Sequence, residues 1–583
     1  MKMKRFMALL IALTITAAVG CGTKIEKNDS IAAFSQNSES VAETVNNVDS
    51  QSESEIDASQ IPVFEETTIS AKKVEYKEYS QTYNAESGEI KGDAKVKDTR
   101  KDFKGEGYVT NIKSESDWNH SFKLTDSQYY NVSVTIAADE KLKNGIAVNG
   151  NAVGEFTYDG NGKWQTFTVN NVFIEAGEVK LSLASANDKI DIDYCNIQSS
   201  DQIQNLSQKL EKPKLINKNA DYNAQALYSY LTQNYGKKIV LGQYDTVGTS
   251  AETQLVYKTT GKYPAIRFGD MTMFTQKNSV IAENEIPTAE SWAENGGIVG
   301  YMWHWTDPVG KTEYYADKTD FDLSKAVTKE KIATMSIEQI KKLQESGKIS
   351  KECVAVVEDI DAVSEKLVAL RDDGIAVLWR PLHEASNGYF WWGKDAESYK
   401  WLWQLLYERQ TEYHKLNNLI WVWSAQNANW YVGDDYCDIL SVDIYDNGSK
   451  ASQVNSLLFL QSISKNKPIA MSECGNFPSI QNLANDKTMW SYIGQWGGNF
   501  LMNDDGTLSE QNNTATDLIT MYNNNLTVTR DKLPDFKSLA ANIKAESEKA
   551  AEEKEDSADS SQKAETQKPD ETSAKKEETK KSE

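Results

Sequence analysis

Two glutamates end apolar runs and keep chemically useful company. Glu384 closes VLWRPLHE, with Arg380 and His383 beside it and FWWG six residues on; Glu473 closes PIAMSE, with Cys474 following. A pair of carboxylates is what hydrolysis of a glycosidic bond requires: one protonates the leaving oxygen, and the other attacks the anomeric carbon or activates water. A separation of about 5–5.5 Å goes with retention of configuration and a wider one with inversion. The sequence leaves that distance open. Arg380 and His383 can donate to a carboxylate or to hydroxyls, which suits a nucleophile that stays ionised, whereas a wall of rings raises the pKa of an acid. Pyranose C–H faces pack on aromatic planes and their hydroxyls need oriented donors, so rings, donors and a carboxylate together suit a sugar site. One carboxylate at a strand end is as readily a structural ion pair; two are informative.

These residues must be held by something rigid. Eight apolar runs, KIVLGQ, YPAIRF, GIVGYMWHW, GIAVLWR, NLIWVWSAQ, CDILSVDIY, KPIAMSEC and WSYIGQW, alternate with helix-like stretches such as KEKIATMSIEQIKKLQESG. That order predicts an α/β fold, a (β/α)₈ TIM barrel over residues 221–540. A doubly wound sheet is the alternative. It explains less, because the notable polar residues follow the C-terminal ends of the runs, where barrel enzymes keep their chemistry.

WRPLHE with FWWG, the upstream WHW, VDIYD and SECG together resemble family 26 glycoside hydrolases, most of which are endo-β-1,4-mannanases. The resemblance covers essentially the whole barrel region. It implies a retaining mechanism with Glu384 as general acid/base and Glu473 as nucleophile. His383 would support the acid/base and contact the sugar, Tyr445 would hydrogen-bond the nucleophile, and Arg380 would hold the carboxylates in place. His304 and Trp496 would line the subsite where the bond breaks. The expected substrate is mannan, galactomannan or glucomannan. An endo-glucanase on mixed-linkage glucan, or a xylanase, is the alternative within the family, since one fold hosts several specificities. A surface lipoprotein that binds polysaccharide without cleaving it is the rival from another class, and both glutamates, His383 and Tyr445 argue against it. Trp303, Trp305 and Trp403 read as packing; Trp391 and Trp392 are open, because consecutive residues cannot all face one cleft. Tyr389 stands where the family commonly has Trp, which puts subsite strength in question, and Val432 stands where Pro is common.

Residues 75–199 carry short alternating segments, among them YYNVSVTIAA and EVKLSLAS, separated by Gly, Asn and Asp turns. They predict an all-β sandwich preceding the barrel, joined to it by a linker at 200–220. YNAESGEIKGDAKV, GEGYV, a Gly-Lys-Trp turn and IDIDY resemble a family 35 carbohydrate-binding module. The resemblance implies a structural calcium with Glu86 and Asp193 among its ligands; both read equally as surface carboxylates. Oxygen ligands suit that cation. Tyr108 and Trp164 are possible sugar contacts and more readily core or sandwich edge.

The chain of 583 residues has a formal net charge of -23, which excludes a nucleic-acid partner for want of a basic face. Residues 1–21 read as a lipoprotein signal: a basic start, a short apolar run and Ala18-Val19-Gly20 before Cys21, the expected lipidation site. An ordinary secretory signal is the alternative. Either way the expectation is an exported protein, lipid-anchored at a bacterial cell surface in the first case and monomeric by default. Residues 22–74 read as a disordered tether. Residues 541–583 are highly charged without an apolar stripe, so disorder is expected there, with a charged helix in part as the alternative. Beyond Cys21, Cys195, Cys353, Cys437 and Cys474 are scattered and read as buried thiols rather than a disulfide or zinc framework. No catalytic cofactor is expected. The second histidine of a zincin helix is missing after His383-Glu384, no Gly-rich loop ends in Lys-Ser or Lys-Thr, and Ser472 lacks a nucleophile elbow.

Overall fold

The computed structural model describes residue 59 and residues 61–565 apart from 276–279, 312 and 446–447; for 280–282 and 554–565 it describes the backbone only. Cys21 and the signal region therefore lie outside the described residues.

The N-terminal unit is two packed antiparallel sheets. One comprises β1 (Ser80–Asn84), β3 (Lys95–Lys97), β4 (Tyr108–Thr110), β6 (Gln128–Ala137), β9 (Gln165–Ile174) and β11 (Asp191–Ser199). The other comprises β2 (Glu89–Ile90), β5 (Trp118–Leu124), β7 (Lys141–Val148), β8 (Asn151–Asp159) and β10 (Gly177–Leu183). Their facing residues, such as Trp118, Val134, Ile136, Leu181 and Ile192, form one buried core. Strands rich in β-branched and aromatic residues fit such a half-buried pleated surface.

Eight parallel strands follow and close on themselves: β12 (Ile239–Tyr244), β13 (Ile266–Asp270), β14 (Ile298–Trp303), β15 (Val377–Pro381), β16 (Leu419–Trp423), β17 (Ile439–Ile444), β18 (Ile469–Cys474) and β19 (Tyr492–Gln495). Each pairs with the next, and β19 pairs back onto β12. Each expected apolar run carries one strand. Alternate residues serve different cores, as the two-residue period of a strand requires. Ile239, Leu241, Val377, Trp379, Leu419 and Trp421 pack outward under the helices. Val240, Phe268, Leu378, Ile420 and Val422 fill the barrel. Gly242 and Gly300 make room there: a Cβ on either would lie within 2.4 Å of the Phe268 ring. Several helices start on side-chain caps that satisfy their free N–H groups, for example Asp221 accepting from Ala224 N and Ser350 from Cys353 N.

Two boundaries differ from expectation. The expected tether includes residues 61–74, yet these run over the N-terminal end of the barrel. Thr67 exchanges backbone hydrogen bonds with Asn523 and Asn525, Ile69 N donates to Asn525 Oδ1, and Pro62 lies against Gly261. Backbone pairing and Ile69 packed on the main core account for the order, which polar composition conceals. The expected disordered tail instead continues a helix over Phe536–Glu565. Its start is seated by Phe536, edge-on to Tyr230 at 5.5 Å, and by buried Ala540. The Ala-, Glu- and Lys-rich continuation consists of strong helix formers. Residues 200–220 bridge the two units, whose interface includes Tyr129 OH donating to Asp486 Oδ1 at 2.5 Å and an Asn171–Asn455 side-chain pair at 2.9 Å.

Candidate active site

The C-terminal ends of the strands converge on a charged cluster. Arg380, the fourth residue of β15, points into the barrel and is 3 % exposed. Its Nη1 donates to Ser424 Oγ at 3.1 Å and Asp443 Oδ2 at 3.0 Å; its Nη2 donates to Tyr244 OH at 2.9 Å and is paired with Glu473 Oε1. Four strand ends are thus tied to one guanidinium, whose planar fork suits such multiple recognition.

Glu473 reaches this centre through a bulge. Val442 on β17 pairs with Met471 but Asp443 pairs with Glu473, so Ser472 is an extra residue in β18. Without the extra residue, alternation from inward Ala470 and outward Met471 would send Glu473 outward; the bulge turns it in. Its second oxygen accepts from Tyr445 OH at 2.6 Å. Both carboxylate oxygens thus act as acceptors, the arrangement of an ionised acid.

Glu384 sits on a tight turn after β15. Leu382 (φ 54°) and Glu384 (φ 51°) both occupy the left-handed region, uncommon for residues with a Cβ and of the kind that clusters at functional sites. Glu384 N is fixed on Ser424 O at 2.9 Å. The carboxyl is poorly solvated: Gln426 Nε2 approaches Oε1 at 3.3 Å, and Oε2 is buried without a partner. Burial, then the charge of Glu473, push its pKa up to about 7. Burial also raises Asp443 well above the usual carboxylate range, with Arg380 opposing. Arg380 is paired with Asp443 and Glu473 and not with Glu384, which is left able to take up and release a proton near neutral pH.

His304 and His383 flank Glu384, their Nε2 atoms 3.2 Å apart. Trp496, 3 % exposed, leans on Tyr244 (ring centroids 4.9 Å apart) and lies 6.1 Å from His304. Trp303, Trp305, Trp391, Trp392 and Trp403 are all fully buried. The two that the sequence left open brace the turn: Trp392 Nε1 donates to His383 O at 2.9 Å, and Trp391 Nε1 to Trp305 O at 2.6 Å. Tyr389 stays half-buried near Glu384, whose charge raises its hydroxyl pKa after burial does. Asp270, Tyr244, Ser424 and Gln426 join the cluster without having been singled out in the sequence. Each follows or ends an apolar strand run, the one signal that marks them.

The sandwich holds its own pair. Glu86 Oε1 accepts from Glu106 N at 2.8 Å, Asp193 Oδ1 from Lys104 N at 2.8 Å, and Glu86 Oε2 is buried with no partner. Asp193 is raised by burial, with Glu86 adding to the shift. Among the described residues no group of three or more His, Cys, Asp or Glu is placed to hold a metal. Tyr108 is buried edge-on against Trp164, whose Nε1 donates to Lys101 O. The four cysteines beyond Cys21 are buried and in no disulfide among the described residues.

The profile of Glycosyl hydrolase family 26 matches residues 216–532. The chain is 31% identical over 490 residues to a mannan endo-1,4-beta-mannosidase of Thermothelomyces thermophilus, covering 81% of this chain and 94% of that one. A Piromyces mannan endo-1,4-beta-mannosidase A is 31% identical over 476 residues, 78% of this chain and 73% of its own. Among solved structures, a Podospora anserina GH26-CBM35 beta-(1,4)-mannanase matches at 29% identity and TM-score 0.52, over 78% of this chain and 99% of that one. An extended match to the profile, two long relatives and a barrel whose strand ends carry the carboxylate pair lead to one assignment: this chain is a glycoside hydrolase and belongs to glycosyl hydrolase family 26.

Proposed function

We propose that the protein is an endo-acting, retaining β-1,4-mannanase in which Glu384 is the acid/base and Glu473 the nucleophile. The observation that carries the assignment of roles is the unequal setting of the two carboxyls. Glu473 accepts from Arg380 and Tyr445, whereas Glu384 is buried with one free oxygen and a pKa near 7. Environments that separate two carboxyls in this way assign acid and nucleophile.

In the first step Glu384 gives its proton to the glycosidic oxygen as Glu473 Oε attacks the anomeric carbon. The C–O bond to the leaving sugar breaks, and a glycosyl ester on Glu473 forms. In the second step Glu384, now ionised, takes a proton from water, whose oxygen displaces Glu473 and returns both carboxyls to their starting states. Arg380 holds Glu473, Asp443 and Ser424 in one plane of contacts, and Tyr445 keeps the attacking carboxylate from rotating.

β-Mannan as substrate is supported by the mannanase names of the long relatives and of the Podospora structure. The last of these, named GH26-CBM35, is matched over 99% of its length and supports reading the sandwich as a family 35-like sugar-binding module. Glu86 and Asp193 would hold a calcium that cross-links the Ala85–Ser87 turn to β11; the partnerless Glu86 Oε2 fits that role. Cys21 would carry a lipid anchor holding a monomeric enzyme at the cell surface; loss of membrane association in Cys21→Ser tests this.

The deciding experiment is release of reducing ends from linear mannan, galactomannan, glucomannan, mixed-linkage β-glucan and xylan. Activity on the mannans is expected. Activity on β-glucan or xylan instead would overturn the substrate, and binding without cleavage would overturn the enzyme.

A further inference from the structure

A second polar line leads to the site through the histidines. Asp270, the last residue of β13, is buried, and its carboxylate is occupied by neighbours in the chain and at the end of the adjacent strand β14. Oδ1 accepts from Thr272 N at 2.9 Å and His304 N at 3.0 Å, and Oδ2 meets His304 Nδ1 at 2.7 Å. His304 Nε2 then meets His383 Nε2 at 3.2 Å, with the rings at 86°. His383 Nδ1 is buried with no partner.

Proton counting fixes this line. Asp270 is held below the usual carboxylate range by His304, against the effect of its burial, so it can only accept; His304 Nδ1 must carry a hydrogen. A neutral imidazole has one donor and one acceptor, so a His304 in its neutral form presents Nε2 as a lone pair. The short Nε2···Nε2 contact needs one proton, and His383 supplies it. Burial keeps His383 well below its ordinary pKa, so its other nitrogen is bare.

We propose that Asp270 is a positioning residue that, through a neutral His304, keeps the proton of His383 on Nε2 and leaves Nδ1 without a hydrogen one residue from Glu384. The proposal rests on Glu384 being the acid/base.

Asp270→Asn makes a sharp test because it inverts the line without changing its shape. The asparagine oxygen serves the two backbone N–H groups, which turns its NH₂ toward His304 Nδ1. That nitrogen must then accept, His304 Nε2 becomes the donor, and the proton of His383 moves to Nδ1. The same tautomer logic applies to an acid-to-amide change beside a catalytic histidine.

The readout is imidazole ¹⁵N NMR of the full chain. Its four histidines make this tractable, with His120→Gln and His414→Gln assigning the two outside the site. Wild type is expected to show His304 protonated at Nδ1 alone and His383 at Nε2 alone, both exchanging in D270N. A loss of about tenfold in kcat/KM on mannan is expected with it, the scale of one misdirected hydrogen bond. Opposite tautomers in wild type, or none exchanged in D270N, overturn the proposal. A flip with turnover unchanged overturns the positioning role. If D270N does not fold, the wild-type spectrum still decides. A wild type inactive on mannan with the expected tautomers would show that the substrate reading failed, not this line.

Discussion

In the sandwich, Glu86 and Asp193 approach one another with the backbone N–H groups of Glu106 and Lys104 as donors and one oxygen left bare. In the barrel, Glu384 and Glu473 stand beside a guanidinium that is as buried as they are. Both regions crowd negative charge. The barrel supplies its own fixed cation, so the protein itself sets which carboxyl holds a proton. At the sandwich pair the nearby cation is Lys104, which lies over the Tyr194 ring and forms no ion pair with Glu86 or Asp193 among the described residues, so the balance is open to an ion from solution. Built-in charge favours chemistry, because protonation states must be defined before substrate arrives; open charge favours a structural ion.

The largest effect should come from Glu473→Ala. Removing the nucleophile is expected to lower kcat on mannan on the order of 10⁴-fold or more while sugar binding by the sandwich persists. Persistent turnover would show that the two barrel carboxyls are not divided as described. Glu384→Ala should cost about 10²–10⁴-fold on polysaccharide and much less on aryl glycosides with good leaving groups, which need little protonation. Equal losses on both substrates would remove its acid role.

Arg380→Met converts the barrel pair into one without a cation. Leaving buried carboxylates unpaired should destabilise the fold by about 3–5 kcal/mol, read from urea unfolding. If stability were unchanged, the guanidinium would not be what holds the pair. In the sandwich the corresponding experiment is calcium itself. At about a hundredfold excess over its Kd, calcium should stabilise by about 2.7 kcal/mol, seen as a higher Tm that chelator reverses and Glu86→Gln abolishes. An equal calcium effect in Glu86→Gln would place the ion elsewhere.

The smallest effect is a pH dependence. Burial and Glu473 raise Glu384 to about 7, and the acid must be protonated to act. Activity is therefore expected to be full well below that value and to fall about tenfold per unit well above it. The sign for stability is the same: a carboxyl raised on folding favours the native state at low pH and loses that contribution as pH rises through about 7. An alkaline limb that survives Glu384→Gln on an activated substrate would belong to another group.

Much of the barrel was legible because parallel strands buried on both faces read as apolar runs. Glu384 and Glu473 were legible because each ends such a run. Their partners were harder to see. Arg380 meets Tyr244, Asp443 and Glu473 across the barrel mouth, which only closure of the strands brings together, and Asp270 meets His304, 34 positions on, through pairing of adjacent strands. The bulge at Ser472 left no trace in the SEC motif. Trp391 and Trp392 read equally as binding and packing rings, and the buried indole N–H bonds decide for packing. The helix after Phe536 was missed because an apolar stripe was required of it, whereas one seated turn and helix-forming residues suffice.

The segment at residues 61–74 fixes an orientation. It is bound where loops enter the strands, beside Gly261, Asn485 and Asn525. The carboxylate pair occupies the opposite pole. The segment thus braces the barrel from behind and leaves the pole that carries Glu384 and Glu473 clear for a long polymer to lie across.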